Sequence, residues 1–267
     1  MHTDMVFTGP GPGRVLKGQY RIDATLGQGA MGMVFRGTVL SLDKPVAIKV
    51  MRPDAFNTRE AQERFQREAR LASRANSPYI AQVQDFGIED GMPYLVMELC
   101  EGPDLGQIIE RDGPMAPARA VAVLRQLAAA LGEAHRQGVV HRDIKPGNLK
   151  LPGYRGPEDS SPLCLKVLDF GIAKQIGGAD GKLTATGAVI GTPMYMAPEQ
   201  AGSGDALDGR ADLYAAGIVL YELLTGTLPF EGASLAGVLV SHLVKPPPEL
   251  PNKVPEPLRQ IVARLLK

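Results

Sequence analysis

The stretch LGQGAMGMVFRGTV, Leu26–Val39, carries G-x-G-x-x-G at Gly27, Gly29 and Gly32, and the segment after the third glycine decides the fold. Glycines at this spacing let a backbone approach a phosphate, or mark a plain hairpin. In a dinucleotide-binding βαβ unit, a strand enters such a turn and a helix opens at once. Here the third glycine leads into MVFRGTV, which reads as a second strand. The dinucleotide reading fails on that context. There remains a strand–turn–strand flap over a nucleotide, with a simple hairpin as the alternative.

Working outward, the segments around this flap are mostly strands. KPVAIKVM and PYLVMELC are short β-branched or apolar runs, and between them TREAQERFQREARLASRA has a helical period. With Phe65 as reference, Ala69 and Ala72 fall within about 40° of it, Glu68 lies on the border of that face, and Glu60 and Glu63 point away. Lys49, set among valines and isoleucines, needs an anionic partner, because an unpaired buried ammonium is costly. Glu68 is the natural candidate. From about Pro103 the signals become helical: ARAVAVLRQLAAALGEAHRQG is apolar-striped with Gly138 as its stop, and DLYAAGIVLYELLTG is apolar almost all round. Strands first and helices after predict an α+β fold in two lobes.

Composition bounds the function. The chain has 267 residues, is 44% hydrophobic and 22% charged, and balances 29 basic against 29 acidic side chains. No overall field directs it to nucleic acid or a membrane surface, so an anionic ligand must be held by local arrangement. Cys100 and Cys164 make neither a disulfide framework nor a metal cluster, and read as reduced thiols. No apolar run approaches the roughly 20 residues of a membrane span. The N-terminal MHTDMVFTGPGPGRV has no secretory pattern and reads as a loose leader. The expected location is cytoplasmic. The final IVARLLK lies inside an apparent helix without a stop signal, which reads as a fragment of a longer protein.

Two further stretches carry chemistry. HRDIKPGN places Asp143, Lys145 and Asn148 in one proline-bent loop after a long helix. A carboxylate can take a hydroxyl proton, a cation can offset charge on a transferring phosphoryl, and an amide oxygen can hold a metal. VLDFGIAK presents Asp169 after an apolar strand and before a glycine, where a carboxylate could hold Mg²⁺ or merely form a turn. GTPMYMAPE (191–199) closes a segment containing Thr184, Thr186 and Thr192.

In this order, from about Gln19 to Lys267, the motifs resemble those of the protein kinases, and in particular the Hanks-type Ser/Thr kinases of bacteria. The resemblance implies a bilobal domain: a β-rich N-lobe at about 19–98, a hinge at 98–102 and a helical C-lobe over 103–267, C-terminally truncated, after a flexible leader at 1–18. It implies ATP and Mg²⁺. The glycine loop (Gly27, Gly29, Gly32) would cover the phosphates, with Leu26, Val34 and Ala47 around the adenine. Lys49 would hold the α- and β-phosphates and pair with Glu68. Met97 would be the gatekeeper, and Glu98 and Cys100 would bond the adenine edge through their backbones. Asp143 would be the catalytic base, Lys145 would face the γ-phosphate, and Asn148 and Asp169 would hold the metal. Lys145, two residues after Asp143, is the Ser/Thr pattern, so the acceptor is a Ser or Thr hydroxyl of a protein. Thr184 and Thr186 resemble autophosphorylation sites, modified in trans by a second copy. Asp212 resembles the residue that anchors the catalytic loop.

Three features depart from that template. Lys150 stands where the family has an apolar residue under the adenine; its stem can pack while its ammonium snorkels outward, or it weakens nucleotide binding. The stretch from Asp143 to Asp169 is longer than usual, which predicts that the 153–162 region is a surface loop inserted between two short strands, free to be disordered. The arginine that the family pairs with the glutamate of APE, here Glu199, has no counterpart before Lys267; Arg264 lies in the preceding helix and is a poor substitute. The competing reading is a nucleotide-binding pseudokinase that serves as a scaffold.

Overall fold

The computed structural model describes residues 9–29, 32–56, 58–170, 193–201, 207–232 and 234–267. Eight strands are described: β1 (Val15–Leu16), β2 (Tyr20–Gly29), β3 (Gly32–Val39), β4 (Lys44–Met51), β5 (Val83–Glu89), β6 (Met92–Glu98), β7 (Leu149–Lys150) and β8 (Lys166–Val167). The first six form one antiparallel sheet in the order β1-β2-β3-β4-β6-β5. The described helices are α1 (Arg59–Arg74), α2 (Leu105–Asp112), α3 (Pro117–Arg136), α4 (Arg210–Thr225), α5 (Leu235–Val244) and α6 (Glu256–Leu265). A sheet with one helix comes first and a helical lobe comes after it, as the order of sequence patterns predicted.

The glycine stretch forms the expected flap. β2 and β3 pair antiparallel down to Gly29 opposite Gly32. Gly32 has φ +150°, and a Cβ there would lie 2.1 Å from the Val50 carbonyl oxygen, so its glycine is demanded by the neighbouring strand β4. Gly27 and Gly29 differ: a Cβ on either would meet open space.

Alternation along β4 sorts its side chains. Val46, Ile48 and Val50 enter the outer cluster with Leu16, Ile22, Phe35 and Val96. Ala47 and Met51 face the inner core with α1, and Lys49 shares their side of the sheet. Residues 9–18 are not a loose leader throughout: β1 pairs with Tyr20 and Arg21, and Leu16 is buried. Leu16 is the side chain that anchors this segment by burial, while Val15 on the opposite face stays exposed.

Thr58 caps α1, its hydroxyl accepting from the Ala61 amide at 3.2 Å. Phe65, Ala69 and Ala72 are buried as their period predicted, and Phe65 meets Phe56 and Phe86 edge-on at 5.7 and 6.2 Å. α3 ends at Arg136, with Gly138 just beyond its cap at φ +75°, and α4 is buried nearly all round. β7 and β8 pair as the two short strands flanking the inserted loop. That loop is anchored: Gln126 donates to the Leu163 carbonyl at 2.8 Å and accepts from the Leu165 amide at 2.7 Å. The Tyr154 hydroxyl donates to Asp112 at 3.0 Å, and the Arg111 and Arg119 guanidinium groups stand 5.6 and 5.1 Å from its ring centre. These polar anchors come from α2 and α3. No helix among the described residues is long and apolar enough to cross a membrane.

Candidate active site

Between the lobes lies a cleft of about 580 Å³. Its roof is Leu26, Gly27, Val34 and Ala47; its back is Met97; its rim is Glu98, Leu99, Cys100, Glu101 and Gly102; its floor is Asn148, Lys150, Leu168 and Asp169. Ala47 and Met97 are partners across β4 and β6, which puts both on the same inner face. Burial beside Glu98 pushes the Cys100 thiol up to about 11, so it is a protonated wall residue and a poor nucleophile.

The loop that carries Asp143 is built on buried anchors. Asp212, at the start of α4 and 1% exposed, accepts from the amides of His141 and Arg142, both at 2.8 Å, and lies 2.8 Å from His135 Nε2. Such an acid satisfies amides that a bent loop cannot pair with itself. His141 is fully buried: its Nε2 lies 2.8 Å from the Leu168 carbonyl oxygen and its Nδ1 lies 3.2 Å from the Asp143 amide. A carbonyl can only accept and an amide can only donate, so the proton is on Nε2. One ring thereby ties the loop before Asp143 to the strand before Asp169. The motif reading contained His141 but gave it no role; the signal available was an imidazole two residues before the acid. Arg142 and Asp169 both have positive φ, +62° and +54°, an uncommon conformation for residues with a Cβ, held here by these bonds.

On that frame the predicted groups converge. Lys145 Nζ lies 3.0 Å from Asp143 Oδ2, and Asn148 donates to the same oxygen at 3.0 Å and to the Asp143 carbonyl at 2.8 Å. The Leu168 amide donates to the Asn148 carbonyl at 2.8 Å, which brings Asn148 beside the Asp169 segment. Lys49 Nζ meets Asp169 Oδ1 at 3.0 Å across the cleft. The expected Lys49–Glu68 pair is replaced: Glu68 is 8% exposed and accepts from Arg67 of its own helix at 3.2 Å. Two acids compete for one lysine, and in this arrangement the one on the strand end is nearer. Thr184 and Thr186 lie outside the described residues.

Lys150 snorkels. Its Nζ donates to the Gly102 carbonyl at 2.5 Å on the cleft rim, leaving its stem along the floor. Lys166 on β8 was not singled out from the sequence; its Nζ meets both Glu98 carboxylate oxygens, at 2.7 and 2.9 Å. Also unforeseen is Tyr195, whose hydroxyl donates to Glu222 at 2.7 Å; burial raises the Glu222 carboxyl and pushes the Tyr195 phenol up strongly. The sequence signal was an acid inside an otherwise apolar helix. Near Glu199 a groove of about 660 Å³ is bounded by Leu213, Tyr214, Ile261 and Arg264.

The donor set fits a nucleotide and a divalent ion. Open space beside Gly27 and Gly29 leaves the backbone of the flap unobstructed, and the Asn148 amide and Asp169 carboxylate supply oxygen donors of the kind a hard cation takes with phosphates and water.

Residues 20–267 match the model of the protein kinase domain family. The chain is 45% identical over 247 residues to the serine/threonine-protein kinase pkn3 of Myxococcus xanthus, covering 91% of this chain and 44% of that protein. It is 40% identical over 236 residues to PknB of Mycobacterium tuberculosis, covering 87% and 36%. With PrkC of Bacillus subtilis the identity is 38% over 255 residues, covering 94% and 38%. The chain thus spans less than half the length of these relatives. Among solved structures, the kinase domain of Mycobacterium tuberculosis PknI superposes with a TM-score of 0.71 at 29% identity, covering 97% of this chain and 90% of that one. The family match over nearly the whole chain, and relatives that are bacterial serine/threonine kinases, place this chain in the protein kinase domain family, on its bacterial Hanks-type branch.

Proposed function

We propose that the chain transfers the γ-phosphoryl group of ATP to Ser or Thr hydroxyls of proteins. The observation that carries this is the cluster on Asp143, where Lys145 Nζ and Asn148 Nδ2 both stand 3.0 Å from one carboxylate oxygen beside the cleft. Asp143 orients the acceptor hydroxyl and takes its proton as the new P–O bond forms. Lys145 offsets negative charge on the transferring group while the bond from the γ-phosphorus to the bridging oxygen breaks and ADP leaves. Lys49 exchanges its contact with Asp169 for the α- and β-phosphates, and Glu68 exchanges its bond to Arg67 for one to Lys49. The Met97 wall and the backbones of Glu98 and Cys100 receive the adenine, under the roof of Leu26, Val34 and Ala47. Asn148 and Asp169 hold Mg²⁺, which when bound neutralises charge on the phosphate oxygens.

Activation comes from trans phosphorylation of Thr184 or Thr186 by a second copy in a transient dimer. A phosphothreonine carries about −1.5 to −2 charge and suits an arginine such as Arg142. The site of action is the cytoplasm, where ATP is available and thiols such as Cys100 and Cys164 stay reduced. The scaffold alternative drew on Lys150 and on the early stop of the chain; the bond from the Lys150 ammonium to the Gly102 carbonyl at the rim supports the reading in which its stem packs along the floor.

Incubating the chain with Mg²⁺ and labelled ATP, beside an Asp143→Asn variant, tests the proposal. Label on Thr184, Thr186 or an added protein acceptor that drops by about 10²-fold or more in the variant is the expected result. Equal label in both proteins would overturn the role of Asp143, and bound ATP without transfer in the wild type would favour the scaffold.

A further inference from the structure

Lys150 and Lys166 face each other across the β7–β8 pair. Like charges directly opposite each other in a sheet repel, so their juxtaposition needs a compensating arrangement. The two ammonium groups diverge to opposite ends of the hinge. Lys166 takes both carboxylate oxygens of Glu98, at its start, and Lys150 takes the carbonyl of Gly102, at its end. Each is a charge-assisted bond.

The backbone around these contacts is closely fitted. The Glu98 amide donates to the Gln82 carbonyl at 2.9 Å, and the Leu151 amide donates to the Pro103 carbonyl at 3.0 Å. Gly102 has φ +114°, and a Cβ there would stand 3.1 Å from both the Leu151 oxygen and the Pro152 Cα. The end of the hinge is therefore pressed onto the end of β7, and Lys150 closes the contact.

We propose that Lys150 and Lys166 act as a two-point brace that holds residues 98–102 in the conformation that receives the nucleotide base. They are positioning residues: Lys150 acts through the Gly102 carbonyl and Lys166 through the Glu98 carboxylate. This rests on the reading of the cleft as a nucleotide site. It also gives the departure at Lys150 a use: the cation that replaces an apolar floor residue supplies the second bond of the brace. Pre-organising a binding segment raises affinity by removing the cost of ordering it.

The test uses Lys150→Met, Lys166→Met and the double variant, with two measurements: amide hydrogen exchange across residues 98–104 without ligand, and the dissociation constant for MgADP. Each single variant is expected to speed hinge exchange and to weaken MgADP by about tenfold, the equivalent of one charged hydrogen bond. The double variant is expected to lose more than either but less than the product, because both bonds order one segment. Unchanged hinge exchange in both folded single variants would overturn the brace, as would Lys150→Leu binding MgADP at least as tightly as the wild type. If Lys166→Met does not fold, Glu98→Gln removes the same ion pair while keeping the shape of the side chain, and the same criteria apply. A wild type that binds no MgADP would instead sink the nucleotide reading, and hydrogen exchange alone would then decide the brace.

Discussion

At the scale of single residues, the site depends on side chains buried to hold others in place. Asp212 is the clearest case, since it accepts from two loop amides and contacts His135 with almost no exposure. Asp212→Ala leaves buried donors without a partner, and a loss of about 3–5 kcal/mol in the unfolding free energy is expected from denaturant titration. Asp212→Asn keeps one acceptor oxygen and is expected to lose less. An equal loss in both variants would mean that charge, not acceptor number, holds the loop. Asp143, Lys145, Asn148 and Asp169 were legible in the sequence because their spacing within short motifs is itself the signal. The partner of Lys49 was not. A lysine in an apolar strand shows that an acid is needed, but Glu68 and Asp169 both qualify, and only their positions in space distinguish them.

At the scale of elements, the flap separates two kinds of glycine that one motif had grouped together. Gly32 is constrained by β4, whereas Gly27 faces open space. Gly32→Ala is therefore expected to lower stability by about 2 kcal/mol or more, from strain at positive φ and contact with the Val50 carbonyl. Gly27→Ala is expected to leave thermal unfolding nearly unchanged and to affect the binding of MgATP instead. Matched melting temperatures for the two variants would refute this division. The inserted loop likewise owes its form to distant neighbours. Its glycine, proline and serine content signals only a connection; its order comes from Gln126, Asp112, Arg111 and Arg119 on helices far away in sequence.

At the scale of the whole molecule, α5 is tied to α4 by a buried imidazole. His242 Nδ1 lies 2.8 Å from the Tyr214 hydroxyl, and the ring packs against Tyr214 and Phe230 at 5.7 and 4.7 Å between centres. Burial lowers its pKa from the ordinary 6.5, partly offset by the backbone of Pro193 and Met194. The folded state thus favours the neutral ring. Its contribution to stability is present above pH 6.5 and is lost as pH falls through the depressed folded value. Acidification from about pH 7.5 to about pH 5 is expected to lower the melting temperature, and His242→Phe to reduce that drop. Glu222 acts in the opposite sense: its raised carboxyl favours the folded state below its ordinary 4.5 and loses that contribution as pH rises through the folded value. An identical pH dependence in wild type and His242→Phe would exclude the imidazole as the cause.

The amino-acid order by itself determined the α+β class, the strand–turn–strand flap, the buried faces of α1 and α4, and the identity of the chemical groups, because periodicity and short-range spacing are local properties of a chain. Only the tertiary structure decided that Lys49 meets Asp169, that His141 ties two loops together, that Val15–Leu16 joins the sheet, and that Lys150 and Lys166 reach Gly102 and Glu98. Each of these depends on distances between segments remote in sequence, where one charge or one hydrogen-bonding group has several candidate partners and packing selects among them.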